Sequence, residues 1–370
     1  MKRDIMPKVI VGMSGGVDSA VAAYLLKQAG YDVIGVTLRT WQSEDGQESR
    51  CCEIDDARRT AWKIGIPYHA FNCTLDFERR VVRPFMDDYL QGLTPNPCVI
   101  CNRVIKWERL LYYAAILGAD YVATGHYASV VKLPNGRYTV RRALHSEKDQ
   151  TYMLYRLSQE QLEKTLMPLG SYSKQEVRDI AEQAGLPVAD KPDSQEICFV
   201  TSGGYADFIR SRTDAEIPEG NFVDADGNVL GRHKGIIHYT VGQRKGLGVA
   251  LGRPAYVRKI CAEKNEIVLG TSGEPGCQSI VCRDLHFMAI PALQTGEELR
   301  CLVKVRYHHA GQTALIRKTG EDAIRIEFEK PVRSAAPGQS AVFYDEGGCL
   351  LGGGIISDVH FEEKQTIENR

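Results

Sequence analysis

The segment Gly12-Met-Ser-Gly-Gly-Val-Asp-Ser19 has the composition of a phosphate-binding turn. Glycines let the backbone turn tightly and bring its N–H groups against a phosphate, and two serine hydroxyls add donors. An apolar run, Lys8 to Met13, and a helical pattern, Asp18 to Ala29, flank the turn, so the helix N-terminus adds partial positive charge. Asp18 is an anion at an anion site, which predicts that it binds a cation such as Mg²⁺ or caps the helix.

The same segment does not fit two common nucleotide-binding motifs. It lacks the Gly-Lys-Ser/Thr ending of a Walker loop and the G-x-G-x-x-G spacing of a dinucleotide fingerprint. A Ser/Gly-rich turn before a capped helix, with no ligand, is the alternative. The position of the segment between a strand and a helix favours the phosphate site.

Cysteines offer a second kind of chemistry. The chain has 11 of them, an odd number that argues for catalytic, metal-binding or buried thiols rather than a disulfide framework. Cys98 and Cys101 form a C-x-x-C pair between Thr94 and Asn102, a stretch that its prolines predict to be an extended loop before a helix beginning near Lys106. A helix N-terminus there would favour the thiolate form.

The flanking elements predict how these groups are positioned. Residues 8 to 200 alternate apolar runs with helical patterns, which predicts an α/β fold with a doubly wound, mostly parallel sheet. Thr124-Gly-His-Tyr127 follows a predicted strand, at the end where open α/β sheets bind ligands. Further helices are predicted over Asp55 to Ile64, Phe77 to Leu90 and Lys106 to Leu117, and one opens at the capping box Ser173 to Glu176.

After about residue 204, short alternating runs with Gly and Asp-Gly turns predict two small β-rich domains, the last a β-barrel. The predicted domains are 1–203, 204–276 and 277–362, with a tail at 363–370. His308 and His309 are predicted to lie on one strand, where neighbouring side chains face opposite sides, which argues against a shared metal ion.

Composition is that of an ordinary globular protein, with 43% apolar residues, 25% charged residues and a net charge of −1. The N-terminal residues do not resemble a signal peptide, and no apolar run approaches the ~18 residues of a membrane helix. We therefore expect a cytoplasmic protein without a membrane partner.

The motifs together resemble a known family. SGGVDS is similar to the pyrophosphate loop of N-type ATP pyrophosphatases, which adenylate an oxygen of their substrate. With the segments around Cys101 and Cys198, the chain resembles bacterial tRNA-uridine 2-sulfurtransferases over nearly its whole length. The segments that carry this resemblance further are Lys148 to Tyr152, His238 to Gly248, Val305 to Tyr307 and Ala336 to Tyr344.

This resemblance implies an enzyme that uses ATP and Mg²⁺ to convert the wobble uridine of tRNA to 2-thiouridine, through an adenylated uridine. It implies tRNAs for Lys, Glu and Gln as substrates, and a cysteine desulfurase or sulfur-relay protein as sulfur donor. Cys198 would carry a persulfide. Cys101 would be the nucleophile, and it would form a transient disulfide with Cys198.

The resemblance also assigns binding residues. The positions that match ATP-binding residues are Gly12, Met13, Ser14, Gly15, Gly16, Val17, Asp18, Ser19, Leu38 and Gly125. Those that match target-base residues are Asn96, Pro97 and Cys98. Those that match tRNA-contacting residues are His126, Lys148, Asp149, Gln150, Arg306, Tyr307 and Gln339.

Three alternatives stay open. Better-known members often carry aspartate at position 98, so Cys98, Cys101 and Cys198 could instead bind an iron–sulfur cluster that delivers sulfur. A ligase that adenylates a small metabolite would share the phosphate loop but would not need the cysteine pair. An ATP-binding tRNA chaperone would have little use for Asp18 and Ser19 beside a complete loop.

Overall fold

The computed structural model describes residues 6–42, 52–192, 197–200, 203–271 and 276–361. Its first strands are β1 (Lys8–Gly12), β2 (Asp32–Arg39), β3 (Tyr68–Asn72), β4 (Tyr121–Ala123), β5 (Ala128–Lys132), β6 (Tyr138–Arg142) and β7 (Thr165–Leu166). Within the described residues, a sheet of order β3-β2-β1-β4-β7 forms with every neighbouring pair parallel. Strands β5 and β6 form a separate antiparallel hairpin. The predicted parallel α/β sheet is confirmed.

Helices cover this sheet on both faces. They are α1 (Val17–Gln28), α2 (Ile54–Ile64), α3 (Thr74–Phe77), α4 (Arg83–Leu90), α5 (Pro97–Cys101), α6 (Glu108–Leu117), α7 (Gln159–Glu163), α8 (Lys174–Gln183) and α9 (Tyr205–Arg210). Val9 and Val11 pack into one buried cluster with α1, α2 and α8, and Ile10 packs into another with α4 and α6. Strand β1 is an uninterrupted apolar run because both of its faces are covered.

The helix that carries the C-x-x-C pair begins earlier than predicted. It starts at Pro97 rather than near Lys106, and continues through a π-helical segment, Asn102–Trp107, into α6. Proline is compatible with the first helical position, where its missing N–H would have no partner in any case. Cys98 and Cys101 therefore lie in the first turns of a helix and not in an extended loop.

The remaining strands form two β-rich units. They are β8 (Gly220–Val223), β9 (Val229–His233), β10 (Ala255–Cys261), β11 (Glu266–Thr271), β12 (Cys277–Phe287), β13 (Glu298–Lys304), β14 (Gln312–Gly320), β15 (Ala323–Val332), β16 (Ser340–Tyr344) and β17 (Leu350–Phe361). Strands β8 to β11 form a sheet of order β10-β11-β8-β9, and β12 to β17 close into a barrel. Two β-rich units with a terminal barrel are confirmed.

The prediction that His308 and His309 lie on one strand is wrong. Strand β13 ends at Lys304, and beyond it His308 lies in a turn and His309 in irregular backbone. The alternation of side chains along a strand therefore does not apply to them.

The barrel packs directly on the α/β unit. Thr139 of β6 donates its hydroxyl to the Leu350 carbonyl oxygen over 2.6 Å, and Arg141 forms a β-bridge with Cys349. Arg137, which is in the same hairpin, donates its Nε to the Met288 carbonyl oxygen over 2.8 Å. These contacts fix the barrel against the β5–β6 hairpin.

Across the described ranges, every helix is too short or too polar to span a lipid bilayer.

Candidate active site

A cleft of about 200 Å³ opens at the carboxyl ends of β1 and β4. These strands are central neighbours in the sheet order, where the chain turns from one side of the sheet to the other, and open α/β sheets bind ligands at such a switch point. The cleft is lined by Gly12, Met13, Ser14, Asp18, Ser19, Val36, Leu38, Thr40, Cys101, Lys106, Leu110, Thr124, Gly125, His126, Gln150 and Cys198. The phosphate loop, Cys101 and Cys198 therefore share one cavity.

The phosphate loop is held in shape by its own serines. The Ser14 N–H donates to Ser19 Oγ over 3.1 Å, and the Ser19 hydroxyl donates to the Gly16 carbonyl oxygen over 3.1 Å. Gly15 has a φ of +83°, and a Cβ there would stand 2.6 Å from the Glu53 carbonyl oxygen. The turn therefore needs glycine at this position, both for its left-handed backbone and for its close approach to the residue before α2.

Asp18 does not cap α1. Gly16 is the N-cap residue and makes no side-chain cap hydrogen bond, so that part of the prediction is wrong. Instead, Asp18 Oδ1 accepts from Lys174 Nζ over 2.7 Å and from the Tyr127 hydroxyl over 2.8 Å. The Asp18 carboxylate therefore forms an ion pair with Lys174, and its binding of Mg²⁺ stays a prediction.

A second lysine ties the loop to α2. Lys191 Nζ donates to the Gly15 carbonyl oxygen over 3.2 Å and to Asp56 Oδ2 over 2.6 Å, and it also pairs with Glu53. Its hydrogen bond holds the pKa of Asp56 below the ordinary value for a carboxyl group. Sequence reasoning missed both lysines, because neither lies within a motif that refers to the loop.

Gly125 brings the end of β4 into contact with the start of α1. A Cβ at this position would lie 2.6 Å from the Asp18 carbonyl carbon and from the Ser19 nitrogen. Real Cβ atoms do not approach backbone this closely, so only glycine lets the Thr124–Tyr127 segment reach the phosphate loop.

Helix α5 forms a wall between the cleft and a second cavity. Cys101 lines the cleft, whereas Asn96 and Pro97 line the second cavity, which has a volume of about 560 Å³. The second cavity lies between the α/β unit and the barrel, because Gly338 and Ile355 complete its lining. The predicted target-base residues Asn96 and Pro97 therefore face away from the predicted nucleophile.

The three cysteines do not form a metal site. Cys98 is exposed, whereas Cys101 and Cys198 are partly buried and line the cleft. In the ranges that the structure describes, which include all three, no group of three or more His, Cys, Asp or Glu side chains is close enough to hold a metal ion. These residues as placed do not fit an iron–sulfur cluster. Residues 193–196, which belong to the segment around Cys198, lie outside the described residues.

His126 is neutral in the folded protein. Its Nδ1 lies 2.8 Å from the Thr124 hydroxyl, and its ring packs against Trp107 at 5.5 Å between centroids. Burial lowers the pKa of His126 well below its ordinary value, and the nearby charge of Lys106 lowers it further. A neutral imidazole therefore faces the cleft at pH 7.

This neutral histidine predicts a loss of stability in mild acid. Below about pH 6.5 the unfolded chain binds a proton at His126 that the folded chain does not, so the free energy of unfolding falls as pH decreases, by about 1 kcal/mol per pH unit. Urea unfolding between about pH 7.5 and pH 5.5 should show a shallower pH dependence for His126→Gln than for the natural protein. Equal slopes in the His126 variant and the natural protein would contradict this account.

Several residues predicted to contact tRNA make structural contacts. Asp149 is buried and accepts from the Thr151 hydroxyl over 2.9 Å. Gln150 lines the cleft, and its Oε1 accepts from the Tyr127 N–H over 2.9 Å. Lys148, just before them, is partly buried. The hydrogen bonds of Asp149 and Gln150 stabilise the segment beside His126, and tRNA binding by these residues stays a prediction.

The barrel brings the other predicted tRNA-contacting residues to α5. Gln339 Nε2 donates to the Thr94 carbonyl oxygen over 3.0 Å, just before this helix. Tyr307 is partly buried, and burial raises the pKa of its hydroxyl, with smaller contributions from Asp149 and Cys98. Arg306 is exposed beside it. The structure thus gathers these residues near Cys98, on the barrel side of α5, and their binding roles stay predictions.

Family models match the chain in consecutive segments. Residues 7–202 match the tRNA methyl transferase HUP domain. Residues 206–271 match the tRNA methyl transferase PRC-barrel domain, and residues 277–356 match the aminomethyltransferase beta-barrel domain. The three models therefore cover the α/β unit, the central β-rich unit and the barrel in turn.

Curated relatives match nearly the whole chain. The tRNA-specific 2-thiouridylase MnmA of Lachnoclostridium phytofermentans is 53% identical over 358 residues, which cover 95% of this chain and 99% of the relative. The protein of the same name from Clostridioides difficile is 49% identical over 355 residues, covering 94% and 98%. A solved U34-tRNA thiolase, NcsA from Methanococcus maripaludis with its 4Fe-4S cluster, is 23% identical with a TM-score of 0.35, and the match covers 53% of this chain and 63% of that one. The identity to the two curated relatives over almost their full length shows that this chain belongs to the tRNA-specific 2-thiouridylase family.

Proposed function

We propose that this protein uses ATP to replace the C2 oxygen of a tRNA uridine with sulfur. The observation that carries the proposal is the single cleft that holds a phosphate loop together with Cys101 and Cys198. A small-metabolite ligase would need the loop alone, and its adenylation chemistry gives no reason for two cysteines in the same cavity.

Adenylation comes first, because the C2 carbonyl of uracil is urea-like and a poor electrophile. The N–H groups of the loop, the Ser14 and Ser19 hydroxyls and the N-terminus of α1 bind the phosphates of ATP. Lys174 and Lys191 hold Asp18 and the Gly15 carbonyl in place, so the loop needs little rearrangement when ATP binds. Attack of the uridine oxygen on the α-phosphate releases pyrophosphate and leaves AMP attached as a good leaving group.

The residues of the cleft fit a Mg²⁺ ion that is bound mainly by the phosphates of ATP. Among the described residues that line the cleft, Asp18 is the carboxylate, and Mg²⁺ is typically bound through one or two carboxylates together with substrate phosphates. The ion would neutralise charge on the phosphates, and Asp18 would be shared between it and Lys174.

Sulfur transfer then uses both cysteines. The terminal sulfur of a Cys198 persulfide attacks C2, and AMP leaves with the former uridine oxygen. The Cys101 thiolate next attacks Cys198 Sγ and breaks the bond between the persulfide sulfurs. That electron pair stays on the sulfur attached to C2, which becomes the thiocarbonyl of 2-thiouridine. Cys101 and Cys198 end as a disulfide, which an external dithiol must reduce before the next turnover.

The finer assignments follow the family. The target is the wobble uridine of tRNAs for Lys, Glu and Gln, and the sulfur comes from a cysteine desulfurase or a sulfur-relay protein in the cytoplasm. The tRNA would contact His126, Lys148 and Gln150 beside the cleft, and Arg306, Tyr307 and Gln339 from the barrel. Asn96 and Pro97 line the second cavity, whereas Cys101 lines the cleft. For Asn96 and Pro97 to contact the target base, the base would have to enter the cleft past the N-terminal end of α5.

Nucleoside mass spectrometry tests the proposal. Unmodified tRNA is incubated with the protein, ATP, Mg²⁺, a cysteine desulfurase with cysteine, and a dithiol, and then digested to nucleosides. We expect 2-thiouridine that depends on ATP, with release of AMP and pyrophosphate. A reaction with an ATP analogue that resists cleavage between the α and β phosphates is the control. Absence of 2-thiouridine under conditions in which tRNA and ATP both bind would refute the proposal.

A further inference from the structure

The π-helical segment after Cys101 places a lysine in the same cleft as this cysteine. The segment covers Asn102–Trp107, and Cys101 is its N-terminal flanking residue. Lys106, five residues after Cys101, lines the cleft together with it. Its neighbours Ile105 and Trp107 are fully buried, so the backbone around Lys106 is fixed by packing.

This shared orientation depends on the helix type. In an α-helix of 3.6 residues per turn, residues five apart point about 140° away from each other. A π-helix closes its hydrogen bonds between residues five apart, which brings such residues close to one face. The wider turn is therefore what allows Cys101 and Lys106 to face the same cavity.

The wide turn is supported by contacts from neighbouring elements. Arg80 Nη1 donates to the Val104 carbonyl oxygen within the segment over 3.1 Å, and the same guanidinium pairs with Glu108 through two hydrogen bonds. Asn102 is buried and donates its Nδ2 to the Met153 carbonyl oxygen over 3.0 Å. These contacts stabilise the segment where it follows Cys101.

Few charged side chains line the cleft, and Lys106 is one of them. Among the described lining residues, the charged side chains are Asp18 and Lys106, and the other titratable ones are Cys101, His126 and Cys198. Asp18 is neutralised by Lys174. His126 is neutral, and the Lys106 charge contributes to keeping it so. Among the described lining residues, Lys106 is therefore the cationic side chain that shares the cleft with Cys101.

We propose that the Lys106 ammonium stabilises the thiolate form of Cys101, the form that attacks Cys198 Sγ in the disulfide-forming step. This proposal rests on the function proposed above and names a residue that activates its nucleophile. An opposite charge within a few ångströms favours a thiolate strongly, because it offsets the cost of holding the anion in a partly buried site. The proton released by Cys101 passes to solvent and the ammonium stays protonated throughout.

The test measures Cys101 directly. Iodoacetamide alkylation of Cys101 is followed by peptide mass spectrometry over a range of pH in the full-length protein, without tRNA or ATP. In Lys106→Gln we expect alkylation near pH 7 to be about tenfold slower or more, and to recover at high pH. The reason is that an opposite charge within about 4–6 Å lowers the pKa of an acidic group by about one unit or more. Lys106→Arg should restore most of the rate, since it restores the charge.

Arg103 supplies the matched control. It lies in the same π-helical segment but is exposed and outside the cleft lining, so Arg103→Gln should alkylate like the natural protein. Recovery of the Lys106→Gln rate at high pH shows that this variant is folded with Cys101 accessible. An unchanged alkylation profile in Lys106→Gln would overturn the proposal.

Activity assays separate this proposal from the function on which it rests. In Lys106→Gln, 2-thiouridine formation near pH 7 should fall at least about tenfold, and by more than any fall in tRNA-dependent pyrophosphate release. Loss of pyrophosphate release with normal alkylation would assign Lys106 to ATP and contradict the proposal. If the natural protein forms no 2-thiouridine, the proposed function fails, and the alkylation profile still decides whether Lys106 controls Cys101.

Discussion

Replacing Cys101 or Cys198 by serine is expected to lower 2-thiouridine formation by a factor on the order of 10³ or more, because a hydroxyl neither carries a transferable sulfur nor forms the disulfide. Both side chains line the cleft that holds the phosphate loop, so each loss should affect sulfur transfer and not ATP binding. Pyrophosphate release in the presence of tRNA should therefore continue in both variants for at least one turnover. Nucleoside mass spectrometry and a pyrophosphate assay on the same samples give the two measurements.

Cys261 offers a matched control for this pair. It is partly buried at the end of β10, in the central β-rich unit and outside the cleft lining, so Cys261→Ser should retain near-natural thiolation. The prediction fails if either cleft variant thiolates tRNA at more than a small fraction of the natural rate. Anaerobic purification of a brown, iron-containing protein that needs its iron for activity would contradict the persulfide route specifically.

Gly125→Ala is expected to slow both adenylation and the sulfur transfer that follows it. The added Cβ would lie 2.6 Å from backbone atoms of Asp18 and Ser19, and backbone at a helix start does not yield as a flexible side chain would. Relief of the clash must push the end of β4 away from the phosphate loop. We expect a destabilisation of about 1–3 kcal/mol from overpacking, and a loss of pyrophosphate release of about 10²-fold or more, because a shift of about 1 Å in a positioned group has effects of that size.

A glycine with space around it provides the comparison. A Cβ at Gly320, at the end of β14, would meet only the Ala323 Cβ, at 3.6 Å, which is an ordinary contact. Gly320→Ala should keep both activity and melting temperature close to natural values. Pyrophosphate release and thermal unfolding of both variants are the measurements, and natural activity in Gly125→Ala would show that the close approach is not needed for function.

Much of the fold was predictable because it depends on residues close together in the chain. The phosphate loop lies between a strand and a helix as its composition predicts, and Gly30 after α1 has the positive φ, +90°, that its position at a helix end predicts. The Ser173–Glu176 capping box forms with both of its hydrogen bonds. The barrel follows from short alternating strands joined by turns. In each case the pattern that sets the conformation lies within a few residues.

The position of the second cavity could not be predicted from patterns of neighbouring residues. Asn96, Pro97 and Cys101 lie within six positions of one another, and the resemblance assigns the first two to the target base and the third to the nucleophile. The structure divides them between two cavities because a helix begins at Pro97 and turns Cys101 toward the cleft. Proline fits an extended loop and the first position of a helix equally well. Packing of distant elements decides between them, since Val99 of this helix is buried in the core.

The sequence by its local patterns determined the strand–turn–helix that is proposed to bind phosphate and the order of the α/β and β-rich units, and it supplied the cysteines on which the proposed reaction depends. Which charged side chains meet at the cleft depends instead on contacts between elements far apart in the chain. Lys174 reaches Asp18 across 156 positions, and Lys191 reaches Gly15 across 176. Lys106 and Cys101 line the same cleft because a π-helical turn, which Arg80 and Asn102 support, changes the register between them. Such pairings depend on how distant elements pack, and no spacing rule in the chain encodes them.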